Sequence, residues 1–226
     1  FNAERVKWRS LHTPEREAFM QRAKPLSNPL DFRFDAAKFA NKVFAITDSY
    51  LKNHDWLIWL DADIETFAPV DFEQFKSLLD MDIVYLDRSN CPLNYAETSF
   101  VAFNLHSEAT ASFLTDLKGV YMSGELFSYA QWHDGFIFER LLRIHRQHGL
   151  KTNNICLDNS REEAFMASPL AKFMHHFKGM RKGMPMRYAL LNEIVKTYKP
   201  KIFVETGTWR GDRAIQLAQA AFEVGD

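Results

Sequence analysis

Apolar positions recur along the first 150 residues with either the helical or the strand period. Helical spacing predicts helices at residues 35–50, 72–79, 107–118 and 134–147, and a capped start near Thr13. Apolar runs predict strands at residues 56–60, 83–86 and 99–105. The run 56–60 is continuously apolar, which is typical of a strand buried on both faces. Helices alternate with strands, so the pattern predicts an α/β fold with a parallel or mixed sheet flanked by helices.

A change of composition falls at residues 180–186, where Gly, Met and Pro cluster. Beyond it the pattern predicts a helix at 188–198, stopped by Lys199-Pro200, and a strand at 201–205. We therefore predict a first domain over residues 1–182, a linker at 183–187 and a second domain beginning at 188 and continuing to 226.

Composition narrows the classes of partner. With 28 Lys and Arg against 29 Asp and Glu, the net charge of -1 predicts neither a nucleic-acid footprint nor a polybasic membrane surface. Two cysteines are too few for a disulfide framework, so a cytoplasmic location is the default expectation. No apolar run approaches the roughly 20 residues of a membrane span. The chain opens on Phe1 and stops after a strand-loop-helix pattern, so we expect truncation at both ends.

The pattern Asp-x-Asp occurs twice, at Asp61-Ala62-Asp63 and at Asp80-Met81-Asp82. The second pair lies between a predicted helix and a strand, where carboxylates are ordinary turn and cap residues. The first follows a buried strand directly, at the usual ligand position in open α/β sheets. Two adjacent carboxylates repel each other, and a hard divalent cation with diphosphate oxygens would satisfy both. The alternative is a loop that merely begins with acidic residues.

The stretch Trp59-Leu60-Asp61-Ala62-Asp63 resembles the metal-binding signature of GT-A type glycosyltransferases. Those enzymes use Mn or Mg to hold the diphosphate of a sugar nucleotide. The resemblance implies that Asp63 ligates the metal, and that Asp61 contacts the metal or the ribose of the nucleotide. It extends over roughly residues 30–182, in motif order more than in continuous identity.

A second signature lies at residues 176–182. Its sequence HFKGMRK matches the His-x-x-Gly-x-x-Lys pattern of glycogenin-like and bacterial galactosyltransferase-like members of that family. The likeness implies that His176 completes the metal shell and that Lys182 meets the diphosphate and stabilises its departure, as imidazole and ammonium groups are suited to do. His175 is an alternative ligand, and Gly183-Met184 departs from the usual Pro-Trp. The competing interpretation is a basic surface segment.

Residues 97–104 and 131–135 resemble the acceptor-side and donor-sugar segments of such enzymes. Asp134 begins a strongly apolar helix, where a carboxylate can bond sugar hydroxyls, take a proton from the acceptor, or cap the helix. Trp132 is either a sugar-stacking or a core aromatic. Arg33 and Lys42 are candidates for the nucleotide phosphates, or surface cations.

The segment after the linker resembles the first motif of class I methyltransferases, Glu-x-Gly-x-x-x-Gly. Glu205, Gly207 and Gly211 match it and are implied contacts of S-adenosylmethionine. This would be an incomplete Rossmann-like segment, because the acidic residue expected after the next strand would lie beyond Asp226.

Three hypotheses of function follow. The first is a metal-dependent glycosyltransferase, fused to a partial methyltransferase, that moves a sugar from a nucleotide-diphosphate donor to a glycan or other hydroxyl acceptor. The second is a methyltransferase whose front region binds its sugar substrate. The third is a non-catalytic nucleotide-sugar binding module. Donor, acceptor and retention or inversion of configuration are left open.

Overall fold

The computed structural model describes residues 13–48 and 54–177. The chain divides into two compact units, residues 1–60 with 66–175, and residues 61–65 with 176–226. The predictions made for Lys182, Glu205, Gly207 and Gly211, and for the linker and second domain, lie outside the described residues. Those predictions stay as predictions.

The described residues form five α-helices and six strands. The helices are α1 Pro14–Ala23, α2 Ala36–Asp48, α3 Phe72–Lys76, α4 Glu108–Ser123 and α5 Asp134–Gln147. The strands are β1 Trp56–Leu60, β2 Ile64–Thr66, β3 Ile83–Leu86, β4 Glu97–Asn104, β5 Thr152–Asn154 and β6 Met174–His176. Short 3-10 helices lie at Phe32–Phe34, Glu125–Ser128, Ala164–Ala167 and Pro169–Lys172. No helix in these described ranges is long and apolar enough to cross a membrane.

The main sheet has the strand order β1-β4-β3-β5. β4 pairs antiparallel with β1 and with β3, whereas β3 pairs parallel with β5, so the sheet is mixed. β1, β3 and β5 therefore run in one direction, and their carboxyl ends lie at the same end of the sheet as the first residues of β4. β2 and β6 form a separate two-stranded sheet.

The position of β1 corrects the expectation that this strand is buried on both faces. β1 is an end strand of the described sheet, paired with β4 alone there, and its five residues are all half-buried. The central strand β3 is buried along its whole length. A continuous apolar run alone does not distinguish an end strand from a central strand, because large side chains such as Trp56 and Trp59 remain apolar where they are only partly covered.

The core lies between the sheet and the helices α1, α2, α4 and α5. Its fully buried large side chains include Phe19, Phe44, Phe103, Phe113, Tyr121, Ile137 and Leu142. α1 begins at Pro14 with Thr13 accepting from the Arg16 N–H, as the sequence predicts. α4 ends at Ser123 and is capped by Gly124, whose φ of 79° is in the left-handed region that glycine adopts without strain.

Candidate metal centre

The first acidic pair lies in the turn between β1 and β2. The Ile64 N–H donates to the Asp61 carbonyl oxygen at 3.0 Å, which closes this turn. The Phe177 N–H donates to the Asp63 carbonyl oxygen at 2.9 Å, so the chain just after β6 is held against the turn. This backbone contact sets His176 beside Asp63.

Asp61, Asp63 and His176 form one cluster, which we call the metal set. Each residue offers one ligand atom, and these atoms lie within 4.8 Å of one another. His176 Nε2 lies 3.3 Å from Asp63 Oδ1, and the two side chains are 5% and 14% exposed. Ligands held about 2.0–2.6 Å from a cation lie at most about 5 Å apart, so the spacing of the set fits one divalent ion.

The chemistry of the donor atoms narrows the kind of ion. Carboxylate oxygens suit hard cations such as Mg and Mn, and the imidazole nitrogen is better suited to Mn than to Mg. All three residues belong to the second unit, so the metal set is complete within one compact body. The structure thus brings together the three residues that the two sequence signatures assign to a metal. His176, not the alternative His175, belongs to the set.

The second acidic pair serves the backbone and a neighbouring loop. Asp82 Oδ2 accepts the Lys151 N–H at 2.8 Å, and Asp80 Oδ1 accepts the Asn153 side-chain amide at 2.8 Å. Both contacts bind the segment before β3 to β5, its parallel partner. This pair holds strands together, in the structural role that its sequence context predicts.

A second cluster lies in the first unit, at the start of α5. Lys42 Nζ lies 2.8 Å from Asp134 Oδ2, and the Thr98 hydroxyl donates to the same oxygen at 2.6 Å. Lys42 Nζ also donates to Thr98 Oγ1 at 3.1 Å and lies 5.6 Å from the centre of the Trp59 ring. We call Lys42, Thr98 and Asp134 the ion-paired set.

The groups around Asp134 determine its pKa. Burial alone would raise the pKa of Asp134, but the nearby Lys42 ammonium, with help from His133 and the Thr98 hydroxyl, lowers it to about 2. Asp134 is therefore an anion across the physiological pH range. Lys42, which the sequence makes a candidate for the nucleotide phosphates, forms an ion pair with this carboxylate.

His133, rather than Asp134, is the cap of α5. The His133 side chain accepts the Phe136 N–H, and its Nε2 lies 2.9 Å from Gln131 Oε1, so Nε2 carries the proton of a neutral ring. Burial lowers the pKa of His133 to about 4, with the Asp134 charge opposing that effect. Asp134 occupies the first helical position, where a negative charge interacts favourably with the helix dipole.

The remaining sequence candidates lie elsewhere. Arg33 is 54% exposed and pairs with Asp31 at 2.6 Å. Trp132 packs edge-on against Phe34 and Phe127, and its ring N–H donates to the Tyr129 carbonyl oxygen. These contacts are those of an aromatic at the margin of the core.

Sequence reasoning included Thr98 and His133 only as members of the segments 97–104 and 131–135, and it gave neither residue a role of its own. Thr98 is an ordinary strand residue by type, and nothing in its neighbours marks the Asp134 contact. His133 stands directly before a helix, and a polar residue at that position was the available signal for a cap. Thr98 is identified by its contact with Asp134 on α5, and His133 by its capping contact with Phe136.

Comparison with known proteins adds no relative. No protein-family profile matches the chain, and no curated protein or solved structure is detectably similar to it.

Proposed function

We propose that this chain carries the metal-binding half of a glycosyltransferase of GT-A type, which moves a sugar from a nucleotide-diphosphate donor to a hydroxyl acceptor in polysaccharide or glycan synthesis. One observation carries the proposal. Asp61, Asp63 and His176 belong to two signatures far apart in sequence, and their ligand atoms lie within 4.8 Å of one another. Each signature alone is short, whereas their convergence is a spatial requirement of the proposed metal shell.

The roles of the residues follow from their chemistry. A bound Mn or Mg ion would stabilise negative charge on a departing diphosphate. Asp61 and Asp63 would supply the oxygen ligands and His176 the nitrogen ligand. His176 is buried and already directed at Asp63, so little side-chain entropy is lost when this shell forms. Lys182 would add a cation beside the diphosphate, as its place in the second signature implies.

The fused methyltransferase is a separate part of the proposal. It depends on Glu205, Gly207 and Gly211, with S-adenosylmethionine as cofactor, and it is supported by sequence alone. Calorimetric titration of the chain with S-adenosylmethionine is its appropriate test.

A titration on the chain itself tests the glycosyltransferase proposal. Calorimetry with manganese and a panel of nucleoside diphosphates is expected to show binding that requires the metal. Asp63→Ala is expected to lose at least about 100-fold in affinity, because removal of even an outer-shell partner loses about 10- to 100-fold. Asp82→Ala is the matched control and is expected to bind like the wild type, because Asp82 contacts the Lys151 N–H.

Two results would contradict the proposal. One is nucleoside diphosphate binding that is indifferent to manganese, and the other is an equal loss in the Asp63 and Asp82 variants. Turnover of a nucleotide sugar then separates a transferase from a binding module. Metal-dependent binding without hydrolysis or transfer for any common donor would favour the module.

A further inference from the structure

The loop between α1 and α2 presents three large apolar side chains to solvent. Leu26 is 53% exposed, Leu30 96% and Phe32 48%. Leu30 is more exposed than any other large apolar side chain in residues 13–48 and 54–177. Single exposed apolar residues are ordinary, whereas three within one short loop indicate a contact surface. We call Leu26, Leu30 and Phe32 the apolar tip.

Hydrogen bonds fix the shape of this loop. The Asn28 N–H donates to the Phe34 carbonyl oxygen at 2.9 Å, which joins the two arms of the loop. The Leu30 N–H donates to the Asn28 side chain at 3.0 Å. The Trp132 N–H donates to the Arg33 carbonyl oxygen at 2.6 Å, so the loop is held against the chain before α5. The apolar tip therefore has a fixed base, and little ordering is needed when it meets a partner.

Cations flank the apolar tip. Residues 22–34 contain three of them, Arg22, Lys24 and Arg33, against one carboxylate, that of Asp31. Asp31 pairs with Arg33 at 2.6 Å, so the charge of this carboxylate is compensated within the loop. Arg22 and Lys24 are both exposed, and they leave the loop with an excess of two positive charges. The net charge of -1 for the whole chain does not reflect this local excess.

Other exposed apolar side chains lie among carboxylates. Leu157 is 81% exposed, and residues 157–163 contain three carboxylates and one cation. Residues 67–73 have three exposed apolar side chains, with two carboxylates and no cation. Apolar exposure is thus common to several loops of the described chain. Its combination with positive charge distinguishes the apolar tip from these two segments.

The size and charge of this surface favour a membrane over a folded protein as the partner. A stable protein interface takes about 20–30 residues from each side, whereas this loop offers three large apolar side chains. A bilayer needs no matching pocket, and its anionic headgroups attract the flanking Lys and Arg side chains. Trp132, at the base of the loop, is half-buried, and tryptophan is a residue type enriched at the headgroup level.

We propose that the loop between α1 and α2 docks this chain on a membrane surface that contains anionic lipids. The apolar tip inserts among the acyl chains, and Arg22 and Lys24 lie at the headgroups. The contact is peripheral and reversible, because a few inserted side chains bind far less tightly than a spanning helix. The docking does not involve the metal set, so its test is independent of the proposed function.

Vesicle flotation with the full chain tests the docking. The wild type is expected to float with vesicles of phosphatidylcholine and phosphatidylglycerol, and to bind vesicles of phosphatidylcholine alone more weakly. Leu30→Ser is expected to lower the partition by about 10-fold, on the scale of withdrawing one leucine from an apolar phase. It is expected to fold normally, because the side chain is almost fully exposed. Leu157→Ser is the matched control and is expected to stay within about 2-fold of the wild type.

A second pair of variants tests the role of charge. Lys24→Gln is expected to weaken binding to the anionic vesicles by about 5-fold and to leave binding to phosphatidylcholine alone unchanged. Lys76→Gln is the control, since Lys76 is an exposed lysine that ends α3 in an acidic part of the chain. Its binding to both kinds of vesicle is expected to stay within about 2-fold of the wild type.

A polarity-sensitive fluorescent label tests the insertion directly. The native cysteines Cys91 and Cys156 are buried, so a thiol-reactive dye is directed to position 30 in Leu30→Cys. Its emission is expected to shift to the blue when anionic vesicles are added, because the dye leaves water for the acyl region. The same dye in Leu157→Cys is expected to keep its emission.

Four results would overturn the docking. They are no binding of the wild type to anionic vesicles, equal losses in Leu30→Ser and Leu157→Ser, equal losses in Lys24→Gln and Lys76→Gln, and no blue shift at position 30. Analytical ultracentrifugation then identifies the main alternative. A concentration-dependent dimer that Leu30→Ser abolishes, without vesicle binding, would assign the apolar tip to a contact between two copies of this chain.

Discussion

The two Asp-x-Asp segments share a pattern and have different partners. In the first, a carboxylate oxygen of Asp63 lies 3.3 Å from a buried imidazole, and Asp61 joins the same cluster. In the second, Asp80 and Asp82 accept hydrogen bonds from an amide side chain and a backbone N–H. The side chains of the first pair converge on one cluster with His176, whereas those of the second pair contact separate donors in the chain at and just before β5.

The difference shows that the position of an acidic pair in the fold decides which groups its carboxylates meet. The first pair follows the carboxyl end of β1, and a later segment of the chain brings the imidazole of His176 to the same cluster. The second pair precedes β3, where its carboxylates satisfy donors that the parallel partner β5 brings close. Carboxylate oxygens that already accept hydrogen bonds from the protein have fewer lone pairs left to bind a metal ion.

The largest expected effect is on metal affinity. Asp61→Asn with Asp63→Asn removes both anionic ligands, so manganese affinity is expected to fall by about 1,000-fold, since single outer-shell changes already lose about 10- to 100-fold. The matched double variant, Asp80→Asn with Asp82→Asn, is expected to stay within about 2-fold of the wild type. Calorimetric titration with manganese alone measures the affinity of both double variants. Similar losses in the two would show that the two acidic pairs do not differ in metal binding.

The second prediction concerns His133, a buried histidine that caps a helix and does not belong to the metal set. The pKa of His133 is lowered from 6.5 to about 4, so the unfolded chain takes up the proton first as pH falls. The stabilisation is complete above pH 6.5 and is lost between 6.5 and 4. Because a tenfold difference in proton affinity between the folded and unfolded chains corresponds to about 1.4 kcal/mol, the loss in the free energy of unfolding is about 3 kcal/mol.

Urea unfolding at pH 7 and pH 4.5 measures this loss. His133→Asn keeps a capping side chain and is expected to flatten the pH dependence. His148→Asn, a change at an exposed histidine that ends α5, is the control and is expected to retain the wild-type slope. An unchanged slope in His133→Asn would mean that His133 is not the group that titrates.

Strong local signals predicted much of the fold. The periodic runs placed β1, β3 and α5 at their observed bounds, and the capping pattern placed the start of α1. α4 extends to Ser123 and α3 ends at Lys76, beyond and short of the predicted limits. A helix end depends on which backbone groups find partners, as at Gly124 after α4, and apolar spacing carries little of that information.

Contacts between distant segments could not be predicted in the same way. β2, β5 and β6 have three residues each, too few to establish a period, and each is defined by its partner strand. The metal set was predicted residue by residue because both halves carried recognisable signatures. The ion-paired set was not, since Lys42, Thr98 and Asp134 lie on three elements and no local pattern connects one of them with another.

The third prediction separates the two adjacent histidines of β6. Successive strand residues point to opposite faces, so His176 and His175 are not interchangeable. His176→Ala is expected to lower manganese affinity by about 10- to 100-fold, on the scale of single partner losses in metal sites. His175→Ala is the control and is expected to change it by less than about 2-fold. A larger loss of manganese affinity in His175→Ala than in His176→Ala would show that His175, and not His176, is the nitrogen ligand.

The smallest expected effect is on the free energy of unfolding, for which we expect the second acidic pair to matter more than the first. Asp82→Ala leaves the Lys151 N–H without its partner at the β3–β5 junction, so the free energy of unfolding is expected to fall by about 1 kcal/mol. Asp82→Asn keeps an acceptor oxygen and is expected to lose less. Asp63→Ala is expected to cost less than Asp82→Ala, because it relieves the repulsion between neighbouring carboxylates. Urea unfolding without metal measures all three, and a larger loss at Asp63 than at Asp82 would show that the metal set also stabilises the fold.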